Sequence, residues 1–183
     1  MIVINLWGAP GCGKSTAAAF LFSRLKSLGV NVELVTEFAK DLTWEERNEA
    51  LKNQLYVSGI QSFRISRLDG RVDVVITDSP VPSGIFYVPE NEKEIFRPVL
   101  YHEFNKYMNI NFLMTRDKPY ASYGRSQSEE ESNALAKEIM METTIYLPQP
   151  LYLAKGNHDG HEYMLWIITN ILKRRGIIND AQN

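Results

Sequence analysis

The chain has 183 residues, 44% of them hydrophobic, and a formal net charge of −2; this suffices for one domain with a sizeable core, not for two, and lacks the basic surplus of a general nucleic-acid binder. Cys12 is the single cysteine, which excludes an intramolecular disulfide and a cysteine-cluster metal site and suits a reducing compartment. No run approaches membrane-spanning length and no basic lead precedes the first apolar run, so a soluble, cytoplasmic protein with no membrane partner is expected.

Ile2 to Trp7 (IVINLW) reads as a buried strand, and Ser15 to Leu28 carry a helical pattern. Between them stands GAPGCGKS, a glycine, four free positions and Gly-Lys-Ser. Strand, glycine-rich turn and helix in that order form a phosphate-binding loop: the glycines let backbone N–H groups turn inward onto an anion, and the helix aims its positive end at the same point. The predicted nucleotide-binding set is Gly8, Ala9, Pro10, Gly11, Cys12, Gly13, Lys14, Ser15 and Thr16. Lys14 supplies a charge to the β- and γ-phosphates of ATP and Ser15 a hydroxyl to Mg²⁺. Cys12 fills a free position of the pattern, so no redox role follows from its place there.

Further β-branched or apolar runs occur at Val30 to Val35, Val72 to Thr77, Ile110 to Met114 and Leu151 to Leu153. Helical patterns separate them at about Trp44 to Leu68, Glu92 to Tyr107 and Ser128 to Tyr146, with a last one at about His161 to Arg174. Continuous apolar strands alternating with helices predict an α/β fold, a five-stranded parallel sheet with helices on both faces. One domain is expected over residues 1–178, with a frayed tail at 179–183.

In such a sheet, ligands gather at the carboxyl ends of the strands. The second strand ends in TEFAK, which puts Glu37 where a second substrate faces the γ-phosphate and makes it the candidate base. The third ends in VVITDSP, and an apolar strand delivering Asp78 beside the phosphate loop is the arrangement that positions Mg²⁺ together with Ser15. After the fourth come Arg116, Lys118 and Arg125 in a loop with a proline, a glycine and two tyrosines. This is a candidate lid over about 115–128, in which Arg125 and Arg116 stabilise charge on the transferring phosphoryl group. The acidic run Glu129 to Glu131 suits a helix start. In the helical insert after the second strand, Gln54, Gln61, Arg64 and Arg67 stand among Trp44, Tyr56 and Phe63, with Gln61 and Arg64 on one helix face as candidate substrate contacts. The segment from Ala154 to Asp159 is expected near the donor adenine, and His158 and His161 at the surface.

On these motifs the chain resembles the P-loop kinases of small nucleosides and nucleotides. TEFAK is similar to the Glu-Tyr-Ala-Arg stretch of nicotinamide riboside kinase-type domains. Glu37 falls where deoxynucleoside kinases and phage polynucleotide kinase carry their acidic base, and the chain also looks like small phage kinases, some of which phosphorylate hydroxymethylated pyrimidines in DNA. The resemblance implies ATP and Mg²⁺ as cofactors and transfer of the γ-phosphate to a hydroxyl of a nucleoside, nucleotide or modified base, with a homodimer left open. The lid lacks the dense arginine series of many nucleoside monophosphate kinases. A monophosphate kinase, or an NTPase module with water as acceptor, stays as the alternative; the guanine-reading Asn-Lys-x-Asp of a GTPase switch is absent from the sequence.

Overall fold

The computed structural model describes residues 1–120 and 128–179. Five parallel strands, β1 (Ile2–Trp7), β2 (Val32–Val35), β3 (Val74–Thr77), β4 (Met108–Thr115) and β5 (Leu151–Lys155), lie in the order β2-β3-β1-β4-β5. Seven α-helices are described: α1 (Lys14–Ser27), α2 (Phe38–Trp44), α3 (Asn48–Lys52), α4 (Gln54–Ser66), α5 (Lys93–Phe104), α6 (Glu129–Tyr146) and α7 (His158–Arg174). A 3₁₀ segment, Val81–Tyr87, follows β3.

The alternation of side chains along each strand divides the core in two. Ile2, Ile4 and Leu6 of β1 join Ile110 and Phe112 of β4 beneath α1 and α7, where Leu21, Leu25, Met164 and Ile168 complete one layer. The opposite face carries Val3 and Val75 against Ile65 of α4, the 3₁₀ segment and Leu100 of α5; Trp7 and Leu113 meet Tyr101 and Phe104 of α5 and Ile139 of α6. Both faces are therefore covered, as continuous apolar strands require. On the second face polar side chains bridge β1 and β4: Asn5 Nδ2 donates to Asn109 Oδ1 at 2.8 Å, and Trp7 Nε1 to Asn111 Oδ1 at 3.1 Å. Arg97 of α5 makes a two-pronged ion pair with Glu142 of α6, at 2.9 and 3.1 Å.

Two expectations change. The single helix expected over Trp44 to Leu68 is two, α3 and α4, with α2 ending at Trp44: Glu46 takes a left-handed φ of 56°, and Asn53 caps a new start, its side chain accepting from the Tyr56 N–H. Apolar periodicity runs through such a break because the pieces pack on one surface. The last helix begins at His158, not His161, with Asn157 as its cap accepting from the Gly160 N–H. One turn earlier, the register puts His161 on the buried face against Phe20, with ring centroids 5.6 Å apart, while His158 stays exposed. Burial holds the His161 imidazole below its ordinary pKa. The tail residues 180–183 lie outside the described residues.

Candidate active site

β1, β3 and β4 end on one side of the sheet, and the crevice between β1 and β3 receives both the loop after β1 and Asp78 after β3. The glycines of the loop hold the left-handed values the motif needs, with φ of 146° at Gly8, 87° at Gly11 and 94° at Gly13, the last being the N-cap of α1. Lys14 folds over this loop: its Nζ donates to the Gly8 carbonyl at 2.6 Å and to the Ala9 carbonyl at 3.4 Å. Ser132 Oγ of α6 donates to the Pro10 carbonyl at 2.8 Å, so the helix after the candidate lid braces the loop. Cys12 is buried, and Thr16 is exposed one residue into α1 beyond Ser15.

Asp78 is 4% exposed and joins three parts of the site. Its Oδ2 accepts from the Ser15 hydroxyl at 2.7 Å, and its Oδ1 accepts from the Glu37 N–H at 3.0 Å. The Ser15–Asp78 oxygens are hard donors that fit Mg²⁺. Among the described residues no group of three or more His, Cys, Asp or Glu side chains could hold a metal ion.

Glu37, the N-cap position of α2, is half-buried with no cap hydrogen bond from its own side chain. Burial pushes its carboxyl above the usual carboxylate range; the Lys14 ammonium opposes that rise and the Asp78 carboxylate adds to it. Glu37 therefore shares one electrostatic environment with Lys14 and Asp78. Tyr87, at the end of the 3₁₀ segment, is 48% exposed, yet loss of water around the phenol and then the Glu37 charge push it up to about 12. Nothing in the sequence pattern marked Tyr87, since 3₁₀ turns have no apolar periodicity to read.

Two candidate substrate residues are engaged inside the protein. Gln61 is 4% exposed; its Oε1 accepts from the Phe38 N–H at 3.0 Å and its Nε2 donates to Thr77 Oγ1 at 3.3 Å. It ties α4 to the start of α2 and the end of β3 instead of facing a ligand. Arg64 pairs with Asp41 at 2.7 Å and stacks over the Phe38 ring at 4.8 Å, so its charge is already balanced. Both sit on one face of α4 as the spacing requires, but the first turn of α2 covers that face. Of the other insert residues, Gln54 donates to the Leu51 carbonyl, Tyr56 meets Phe38 edge-on at 5.5 Å, and Trp44 and Phe63 stand largely exposed.

Arg116, at the root of the candidate lid, is engaged with α6. Its guanidinium donates to Asn133 Oδ1, pairs with Glu129 at 3.2 Å and lies 5.1 Å from the Tyr120 ring centroid. It joins the end of β4 to α6. The acidic start of α6 is helix chemistry as expected, with a capping box of Ser128 and Glu131, and Glu129 also partners Arg116. Arg125 lies outside the described residues.

A family model described as an AAA domain matches residues 3–158. The chain belongs to this AAA domain family. No curated protein matches the chain. Among solved structures it is similar to deoxyadenosine kinase from M. mycoides with bound dATP, at 16% identity and a TM-score of 0.56 over 93% of this chain and 99% of that one. The same enzyme with the products dCMP and a flexible dCDP gives 16% identity and a TM-score of 0.55 over 94% and 98%. A shikimate kinase from Bacteroides thetaiotaomicron gives 14% identity and a TM-score of 0.48 over 94% and 98%. The fold of this AAA domain chain is thus that of the P-loop kinases. No helix among its described residues is long and apolar enough to cross a membrane.

Proposed function

We propose that this chain is a kinase that transfers the γ-phosphate of ATP to a hydroxyl of a nucleoside, a nucleotide or a hydroxymethylated pyrimidine, the last free or within DNA. Glu37 carries the reading. Its carboxyl is raised by burial and is coupled to Lys14 and Asp78, while its backbone is pinned to Asp78. A neutral hydroxyl must lose a proton on attack, whereas the phosphate of a nucleoside monophosphate is already anionic and needs cations instead. The insert's partly buried cation, Arg64, is neutralised by Asp41, which favours the neutral acceptor.

In the proposed reaction the acceptor oxygen forms a bond to the γ-phosphorus while the bond to the β–γ bridging oxygen breaks, leaving ADP. The hydroxyl proton passes to Glu37. Lys14 exchanges the Gly8 carbonyl for phosphate oxygens, and Tyr87 offers a neutral donor beside the base. Ser15 and Asp78 would hold Mg²⁺, which when bound neutralises charge on the β- and γ-phosphates. Arg125 is proposed to reach the phosphoryl group from the lid, with Arg116 at the lid's root.

The test is ADP production with purified protein, ATP and Mg²⁺, with and without a panel of nucleosides, nucleotides and hydroxymethylpyrimidine-containing oligonucleotides. Strong dependence on a hydroxyl acceptor, with phosphate recovered on that hydroxyl, supports the reading. Turnover indifferent to every acceptor identifies an NTPase, and acceptance of monophosphates alone identifies a monophosphate kinase.

A further inference from the structure

The turn from β5 into α7, Gly156-Asn157, approaches the phosphate loop backbone to backbone. A Cβ placed on Gly156 would stand 1.9 Å from the Cys12 carbonyl oxygen, 3.0 Å from the Cys12 carbonyl carbon and 3.2 Å from the Thr115 carbonyl oxygen. A Cβ on Gly13 would in turn lie 3.4 Å from the Gly156 carbonyl oxygen. Every one of these neighbours is main chain, so no side chain can rotate away. Gly156 is itself held, its N–H donating to the Thr115 carbonyl at 2.9 Å. The next residue, Asn157, caps α7 and donates to Asp117 Oδ2, while Lys155 lies 3.9 Å from the same carboxylate. Gly156 therefore sits in a frame fixed by the end of β4, the root of the candidate lid and the start of α7.

The peptide that Gly156 touches is the one that matters for an anion. Cys12 C=O and Gly13 N–H belong to one planar unit, so a push on the oxygen tilts the N–H, and in a phosphate loop that N–H faces the phosphate. We infer that Gly156 is a positioning residue for the phosphate loop: its missing side chain lets the β5–α7 turn seat the Cys12–Gly13 peptide in its anion-binding orientation. The role rests on the nucleotide-binding reading of the loop. It predicts that a single methyl group, outside the motif and 143 residues beyond Gly13 in the chain, weakens nucleotide binding.

Affinity for a non-hydrolysable ATP analogue, measured by calorimetry with Mg²⁺ well below the melting temperature, tests this without requiring an acceptor. Gly156→Ala should weaken binding about tenfold or more. Gly176→Ala is the comparison for lost stability alone: its φ of 70° strains any side chain and no atom lies within 4 Å of its Cβ position, so Tm should fall with affinity unchanged. Asn157→Ala, which loosens the turn without placing an atom near Cys12, should weaken binding a few-fold and decides the matter if Gly156→Ala does not fold. Lys14→Ala separates the two levels: if it binds the analogue as the wild type does, the phosphate-loop reading itself is wrong. If Lys14→Ala loses binding while Gly156→Ala, or in its absence Asn157→Ala, retains wild-type affinity, the positioning role is overturned and the reading of the loop stands.

Discussion

The phosphate-loop side and the α2–α4 side of the crevice, donor and acceptor sides under the proposed function, are built from different materials. On the donor side the contacts are mostly main chain: left-handed glycines, carbonyls that hold Lys14, a Gly156 that admits no Cβ. On the acceptor side, side chains hold the backbone. Gln61 binds the Phe38 N–H, Asp78 binds the Glu37 N–H, and Arg64 bridges Asp41 and the Phe38 ring. Main-chain geometry is specified by a few residues with special conformations and serves any triphosphate, whereas a side-chain network can be rewritten one residue at a time for a new acceptor. The difference teaches where to expect sharp losses on substitution and where graded ones.

The sharpest loss is expected at Lys14. Lys14→Ala should lower phosphate transfer by about 10³-fold, the scale of an electrostatic group acting on transition-state charge, and leave a folded protein, since Nζ donates to the Gly8 and Ala9 carbonyls of the loop and not into the core. Single-turnover transfer and a circular dichroism melt measure both halves. Activity within a few-fold of wild type would remove the catalytic reading of the donor side.

Next comes the base. Glu37→Gln should lower kcat about 10²-fold or more while ATP affinity holds, within the range for a lost general base. Because burial raises the Glu37 pKa, the acid limb of kcat against pH should fall above the ordinary carboxylate value and vanish in the variant. Stability supplies a second readout. The folded state binds this proton more tightly than the unfolded chain, so the group favours folding at low pH and that contribution is lost as pH rises through the folded value. Glu37→Gln should therefore melt higher than wild type at pH 8, with the advantage gone below pH 4. An unshifted acid limb and no gain at pH 8 would place Glu37 in solvent.

Asp78→Asn sits on the boundary between the halves. The amide can still accept from Ser15 or from the Glu37 N–H but cannot carry the charge, so the Mg²⁺ concentration for half-maximal rate should rise about tenfold, with a smaller fall in saturated kcat. A magnesium titration reads it directly, and an unchanged midpoint makes Asp78 a structural link between α1 and α2.

The sheet, its parallel strands and the phosphate loop were legible in the chain because each writes a local pattern: apolar runs of strand length, and a motif whose glycines and lysine have one geometric solution. Ile2–Trp7 begins and ends as read. The exposed ends and the insert were less so. Glu46 in a left-handed conformation breaks a helix that periodicity runs straight through. Tyr87 feels the Glu37 charge from the end of a 3₁₀ turn that has no period. Gly156 offers no side chain to interpret, and its role is visible only when Cys12 is placed against it. Gln61 and Arg64 were chosen for chemistry that fits a substrate, yet the same polar groups suit a neighbouring helix, and spacing along the chain does not reveal which partner lies closer.

Gln61 offers the smallest and most discriminating effect. Gln61→Met preserves length and fills the same space, but it removes the acceptor of the Phe38 N–H and the donor to Thr77 Oγ1. An amide left unpaired in that buried position costs about 1–3 kcal/mol, so the melting temperature should fall by several degrees. The functional consequence depends on which side of the comparison Gln61 belongs to. As a strut beneath the first turn of α2, it holds the backbone next to Glu37 and touches no acceptor; kcat should then fall a few-fold, through a less well placed base, while KM for the acceptor stays put. As a substrate contact, its loss should raise KM for the acceptor with kcat retained. Combining it with Glu37→Gln sharpens the distinction: a strut acting through Glu37 adds little once the carboxylate is gone, so the double variant should transfer at nearly the Glu37→Gln rate. Losses that multiply would instead show Gln61 reaching the acceptor on its own.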